Sequence, residues 1–186
     1  MPLLKKPINY NLEGTYFCLA FSDLDELSTI AQLVSLFPTT QIKSLDVQLR
    51  TEVKWTVEQI KEVLTVIING LKKTQINSLD LSCSNLYLLG IQGLNELLAS
   101  LPANIETLVL SGNHWDKLNL SSQELAKAIR ENTQISVLFE GTDEFEHQLT
   151  AALKTSTTPN RYQWFLPPAT DGVDKEEKAQ KCCVIL

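Results

Sequence analysis

The stretch Ile105-Glu106-Thr107-Leu108-Val109-Leu110-Ser111-Gly112-Asn113-His114-Trp115 decides how this chain folds. Its apolar positions alternate through Leu108-x-Leu110, the period of a strand with one buried face, and Ser111-Gly112-Asn113 then ends the run with turn formers. The same opening recurs on both sides. Ile42-Lys43-Ser44-Leu45-Asp46-Val47 and Ile76-Asn77-Ser78-Leu79-Asp80-Leu81 complete the pattern apolar-x-x-Leu-x-apolar, and Ile135-Ser136-Val137-Leu138-Phe139 repeats its start. The starts lie 34, 29 and 30 residues apart (76−42, 105−76, 135−105). A degenerate copy, Tyr16-Phe17-Cys18-Leu19-Ala20-Phe21, begins 26 residues before the first (42−16).

Between the strand phrases the apolar spacing changes to that of helices. Val57, Ile60, Val63, Leu64, Ile67, Ile68 and Leu71 form one stripe at three- and four-residue steps; Leu94, Leu97, Leu98 and Leu101 form the next, which Pro102 stops. Ser121-Ser122-Gln123-Glu124 is a capping-box signature, so a helix begins near Ser122 and buries Leu125 and Ile129. A fourth helix is expected from about Asp143 to Lys154, with Phe145, Leu149 and Leu153 inward.

A strand, a turn and a helix repeated at about 30 residues resemble the leucine-rich repeat, and the 31 leucines among 186 residues suit it. The third copy is the closest match, reproducing Leu-x-Leu-x-x-Asn-x-apolar from Leu108 to Trp115; the helical lengths are similar to those of the ribonuclease-inhibitor type. The resemblance covers residues 16 to 154, about five repeats. It implies an α/β solenoid with short parallel strands on the concave face and helices on the convex face. In that family the asparagine side chain bonds backbone groups left open where the strand turns away. Asn113 is the clear instance, whereas Ser84, Asp143 and Arg50 stand at that place in the second, fourth and first copies. Residues 1–15, with Ile8, Tyr10 and Leu12 alternating, are expected to cap the open N-terminal edge.

Such repeats present the residues between the inward leucines on one shared surface. Aligning the copies puts Asp46, Gln48, Asp80, Val109, Val137 and Phe139 there, acidic toward the N-terminal end and apolar toward the C-terminal end. These are the expected contacts to a protein partner, with Val109, Val137 and Phe139 as anchors. Other chemistry finds little footing. The net charge of −6 and the lack of a basic stripe argue against nucleic acid. The two histidines, His114 and His147, read as a loop residue and a polar helix-face residue, and neither has a spaced partner for metal or nucleophile chemistry. Cys18 and Cys83 read as small packing residues, no phosphate-cradling glycine loop occurs, and no catalytic, metal or cofactor site is expected.

The composition changes after Lys154. Thr155-Ser156-Thr157-Thr158-Pro159-Asn160 and Pro167-Pro168-Ala169-Thr170-Asp171-Gly172 are breaker clusters, so residues 155–186 read as a flexible tail around the apolar Tyr162-Gln163-Trp164-Phe165-Leu166. The tail ends Lys181-Cys182-Cys183-Val184-Ile185-Leu186, which resembles a CaaX prenylation signal on Cys183 with a terminal leucine favouring geranylgeranyl. One prenyl chain anchors marginally, and Lys175, Lys178 and Lys181 are offset by Asp174, Glu176 and Glu177, so acylation of Cys182 is the candidate second signal. No run approaches the length of a transmembrane helix, and the N-terminus lacks a Sec-type signal pattern.

Repeats and CaaX end together resemble the small leucine-rich-repeat effectors that intracellular bacterial pathogens inject and host enzymes prenylate. The resemblance implies a non-catalytic interaction module, modified by a host prenyltransferase and held by its lipid on the cytoplasmic face of host membranes. Two alternatives follow from other resemblances. A cytoplasmic adaptor similar to prenylated F-box leucine-rich-repeat proteins would need an F-box, which Leu3-Leu4-Lys5-Lys6-Pro7 does not supply. A regulator resembling repeat-type GTPase activators would need a catalytic arginine, for which Arg50 is the candidate.

Overall fold

The computed structural model describes residues 16–21, 32, 36–49, 54–141 and 143–154. The expected N-terminal cap, Arg50 and the whole tail, including Cys182 and Cys183, lie outside these residues.

Five strands form one sheet: β1 Tyr16–Phe21, β2 Ser44–Leu49, β3 Ser78–Asp80, β4 Thr107–Val109 and β5 Ser136–Leu138. They lie in chain order and every neighbouring pair is parallel. From β2 onward, a helix follows each strand: α1 Val57–Leu71, α2 Gly90–Ser100, α3 Ser122–Asn132 and α4 Glu144–Lys154. Helices are wider than the ~4.8 Å spacing of strands, so a row of strand–helix units must curve with the sheet inside. This is the leucine-rich-repeat solenoid, with short parallel strands on the concave face.

Local signals explain the helix boundaries. Thr56 caps α1, accepting from the Gln59 amide at 3.3 Å, while the Gln59 side chain accepts from the Thr56 amide at 2.9 Å. Ser121 and Glu124 make the same reciprocal pair at the start of α3, where the sequence signature stands. Helix α2 stops at Ser100, two residues before Pro102, and α4 starts one residue after Asp143. Asp143 is its cap: Oδ1 accepts from the Glu146 amide at 2.8 Å.

The core is one continuous layer between sheet and helices. Leu45, Val47, Leu79, Leu81, Leu108 and Leu110 from the sheet are fully enclosed against Ile60, Val63, Ile67, Leu94, Leu125 and Ile129 from the helices. Repeats are stitched at the strand entries too. The Lys43 carbonyl accepts from Asn77 and Ser78, the Asn77 carbonyl from Glu106 and Thr107, and the Glu106 carbonyl from Ser136.

The last repeat departs from the expected register. β4 pairs with β5 as Leu108↔Val137 and Val109↔Leu138, so Val137 and Phe139 point inward, at 3% and 9% exposure. The two residues assigned to the binding face are core residues. Continuing the 29-residue step from Leu79 to Leu108 (108−79) reaches Val137 (137−108), whereas matching leucine to leucine slips by one residue and turns every side chain over. Phe139 takes the inward place held by Leu110 one repeat earlier, and its ring meets Trp115 edge-on at 6.4 Å.

Candidate protein-binding face

The strand residues with alternating burial leave a second set on the concave side. Register places Cys18, Asp46, Asp80, Val109 and Leu138 in one line across all five strands. Tyr16, Ser44, Ser78, Thr107 and Ser136 form the line before it, and Ala20 pairs with Gln48 in the line after it. Asp46, Gln48, Asp80 and Val109 thus share the face that the sequence assigned to them. In place of Val137 and Phe139 the face carries Leu138, with Ser136 before it and Glu140 exposed after it.

Tyr16 and Leu138 were missed by sequence reasoning. Tyr16 is two residues before Cys18 on the same strand and was legible from period-two alternation; Leu138 was hidden by the register slip.

Asp46 is 5% exposed although it faces outward. Its Oδ2 accepts from the Tyr16 hydroxyl at 2.7 Å and from the Gln48 amide nitrogen at 2.9 Å. Burial raises its carboxyl above the ordinary range, the bond from Tyr16 lowers it, and the Asp80 carboxylate raises it again. Burial and the hydrogen bond to Asp46 likewise push Tyr16 upward. The Cys18 thiol is pushed up to about 12 by burial and by Asp46, so at neutral pH it keeps its proton and has no nucleophilic thiolate. Asp80 is partly exposed, and its Oδ1 accepts from the Ser82 amide at 2.8 Å.

Beyond β3 and β4 the chain turns through paired left-handed residues, Cys83 and Asn85 after β3, Gly112 and His114 after β4. Gly112 is required twice over, since φ is +66° and a Cβ there would lie 2.8 Å from the Cys83 Sγ. These turns are closed from the following repeat. Ser84 Oγ accepts from the Leu49 amide and donates to the Val47 carbonyl. Asn113 Oδ1 accepts from the Ser84 and Leu86 amides, while its Nδ2 donates to the carbonyls of Leu81 and Leu110.

The fourth copy does not use Asp143 for this purpose, because Asp143 is occupied capping α4. Glu146 does it instead, reaching back from the first turn of α4 with its Oε1 accepting from the Gly112 amide at 2.7 Å. No side chain in the repeat pattern signalled this, since Glu146 lies on a helix beyond the strand turn. It is 1% exposed, and a Cβ on Gly141 would collide with its Oε2.

Burial raises the Glu146 carboxyl and Asp143 adds to the rise, against amides of Gly112, Gly141 and Asn113 that favour the ionised form. A raised folded-state pKa means that its stabilising contribution is complete below the unfolded value and is lost as pH rises through the folded value. Melting temperature followed from acid to neutral pH is therefore expected to shift in favour of wild type over Glu146→Gln as pH falls. Asp46 titrates in both proteins and cancels. A difference between the two that is flat with pH, or grows toward neutrality, contradicts this.

Among the described residues no group of three or more His, Cys, Asp or Glu side chains is placed to hold a metal ion. No helix among them is long and apolar enough to cross a membrane. His114 and His147 are both exposed, and His114 meets Tyr87 edge-on at 6.0 Å, with Lys117 4.6 Å above the same tyrosine ring.

No protein-family model matches the chain, and no curated protein matches it. Among solved structures it is similar to the crystal structure of the leucine-rich repeat-containing protein LegL7 from Legionella pneumophila. The TM-score is 0.49 and the identity 26%, over 67% of this chain and 37% of that one. The chain thus spans a little over a third of the length of that protein.

Proposed function

We propose that this protein is an interaction module that captures a protein partner on its concave face and is tethered to host membranes by prenylation, as a secreted bacterial effector. The observation that carries the reading is the concave line itself. Val109 and Leu138 are side chains a folded domain gains by burying, yet both remain only partly covered, beside the carboxyl pair of Asp46 and Asp80. The Cys18 thiol on this face is held protonated, which favours binding over thiolate catalysis.

Tethering rests on Cys183-Val184-Ile185-Leu186, the lipid being added by a host geranylgeranyl transferase, with Cys182 available for a second acyl chain. The array supplies the contact and the tail supplies the place.

The test is the full chain expressed in eukaryotic cells with a photo-crosslinking residue at Ser78, on the concave face, or at Lys127, exposed on α3. A discrete crosslinked protein is expected from Ser78 and not from Lys127. Cys183→Ser is expected to lose the geranylgeranyl mass increment and move from the membrane fraction to the cytosol. Equal crosslinking from both positions overturns the concave reading, and an unchanged membrane fraction overturns the tether.

A further inference from the structure

Among the described residues β5 pairs with β4 alone. Its bonds to that neighbour run through Ser136, whose N–H donates to the Glu106 carbonyl, and Leu138, whose carbonyl accepts from the Leu110 N–H. In a parallel ladder alternate residues face opposite neighbours, so the Ile135 carbonyl, both backbone groups of Val137 and the Phe139 N–H point to the open side. The Val137 side chain is 3% exposed, and backbone groups set so deep call for partners. No described element closes this end. A groove of about 400 Å³ lies between the exit of β5, at Phe139 and Gly141, and the side of α4 that carries His147, Thr150 and Lys154.

The chain carries a further copy of the strand phrase at the matching distance. Inward Leu79, Leu108 and Val137 stand 29 residues apart (108−79, 137−108), and one more such step reaches Leu166 (166−137). Gln163-Trp164-Phe165-Leu166 then aligns with Gln134-Ile135-Ser136-Val137, and Pro167-Pro168 takes the places of Leu138 and Phe139. Reach is ample: α2 ends seven residues before β4 begins (107−100) and α3 four before β5 (136−132), against eleven from Lys154 to Phe165 (165−154). The prolines suit a closing strand, because each holds the residue before it extended and the first withholds an N–H that a full ladder uses. Left uncovered, Trp164-Phe165-Leu166 is an apolar run that invites association.

We propose that residues 165–167 dock on the open edge of β5 as a sixth parallel strand, with Leu166 inward against Val137 and Phe165 outward beside Ser136. The register carried over from β4 and β5 pairs the Phe165 N–H with the Ile135 carbonyl, the Val137 N–H with the Phe165 carbonyl, and the Phe139 N–H with the Pro167 carbonyl. The Val137 carbonyl would need a donor at 167, and proline ends the ladder there. A closing strand that finishes in prolines offers a poor template to another copy of the chain. The occupant is the chain's own segment, so this inference stands or falls independently of the partner and the lipid.

Residue-resolved amide exchange on the full chain tests it, with Leu166→Asp as the variant that cannot seat against Val137. The Val137 and Phe139 amides are expected to exchange about tenfold or more slowly in wild type than in the variant. The Leu110 amide, which donates to Leu138 inside the described sheet, is expected to stay equally protected in both. Nuclear Overhauser contacts between the Leu166 and Val137 side chains are expected in wild type at every protein concentration. Equal exchange of Val137 in the two proteins overturns the inference. So does protection that appears only as concentration rises, which assigns the edge to a second copy, or protection without Leu166–Val137 contacts, which assigns it to another segment. Should Leu166→Asp unfold the chain, the wild-type contacts decide by themselves.

Discussion

Leu79→Ala and Leu108→Ala are each expected to lower the free energy of unfolding by about 2–5 kcal/mol, and Leu88→Ala by much less. Leu79 and Leu108 are fully enclosed and occupy equivalent positions, paired in register between β3 and β4. Each is flanked by a parallel strand on both sides and covered by helices, so the walls of the new cavity belong to elements that their own neighbours hold in place. The cavity therefore stays open and the cost adds to the lost transfer energy. Leu88 sits in the short turn Leu86–Leu89 and is only partly buried, so water and local movement fill the gap its truncation leaves. Denaturant unfolding of the three variants checks the order. Equal small losses would mean that the strands do not share one core register.

Phe139→Ala is expected to cost about 3–5 kcal/mol and to lower the melting temperature by many degrees. Phe139 is 9% exposed, fills the last inward position of the sheet and meets the enclosed Trp115 edge-on. Trp115 has its own tie, donating from Nε1 to the Leu110 carbonyl at 2.8 Å, so it will not swing into the vacated space without breaking that bond. An outward Phe139 would leave stability nearly unchanged and abolish partner capture. The inward one loses stability first, and the folded fraction that remains should still crosslink to the partner from Ser78. Calorimetry and crosslinking of the same variant separate the two.

Most of the fold was legible because its signals are local and repeated. The α1 stripe from Val57 to Leu71, the Ser121–Glu124 capping box and the leucine pairs of β2 to β4 each follow from spacing alone, and the copies reinforce one another. In the last strand residue type and period disagree, and the period sets the register. Leu138 matches Leu108 in type, yet Val137 and Phe139 match it in position, and burial depends on position. The concave face was legible where strands were in register, at Asp46, Gln48, Asp80 and Val109. What spacing did not give was the depth of each residue on that face. Asp46 looks like any surface aspartate in the sequence, and the Tyr16 phenol that helps to enclose it arrives from 30 residues away. Glu146 was invisible for a related reason: its partner amide lies 34 residues earlier and its own setting reads as an ordinary first helical turn.

The way the turns are closed gives the array a direction in time. The amide of Leu49 waits for Ser84, 35 residues later; that of Ser84 waits for Asn113, 29 later; that of Gly112 waits for Glu146, 34 later. A ribosome delivers the chain from the N-terminus, so each of these repeats carries at least one unpaired donor until its successor has been made. Each newborn repeat is thus completed by the one behind it. For the turn after β4 that completion comes from a helix, because the Glu146 carboxylate on α4 takes the Gly112 amide, whereas turn side chains close the repeats before it.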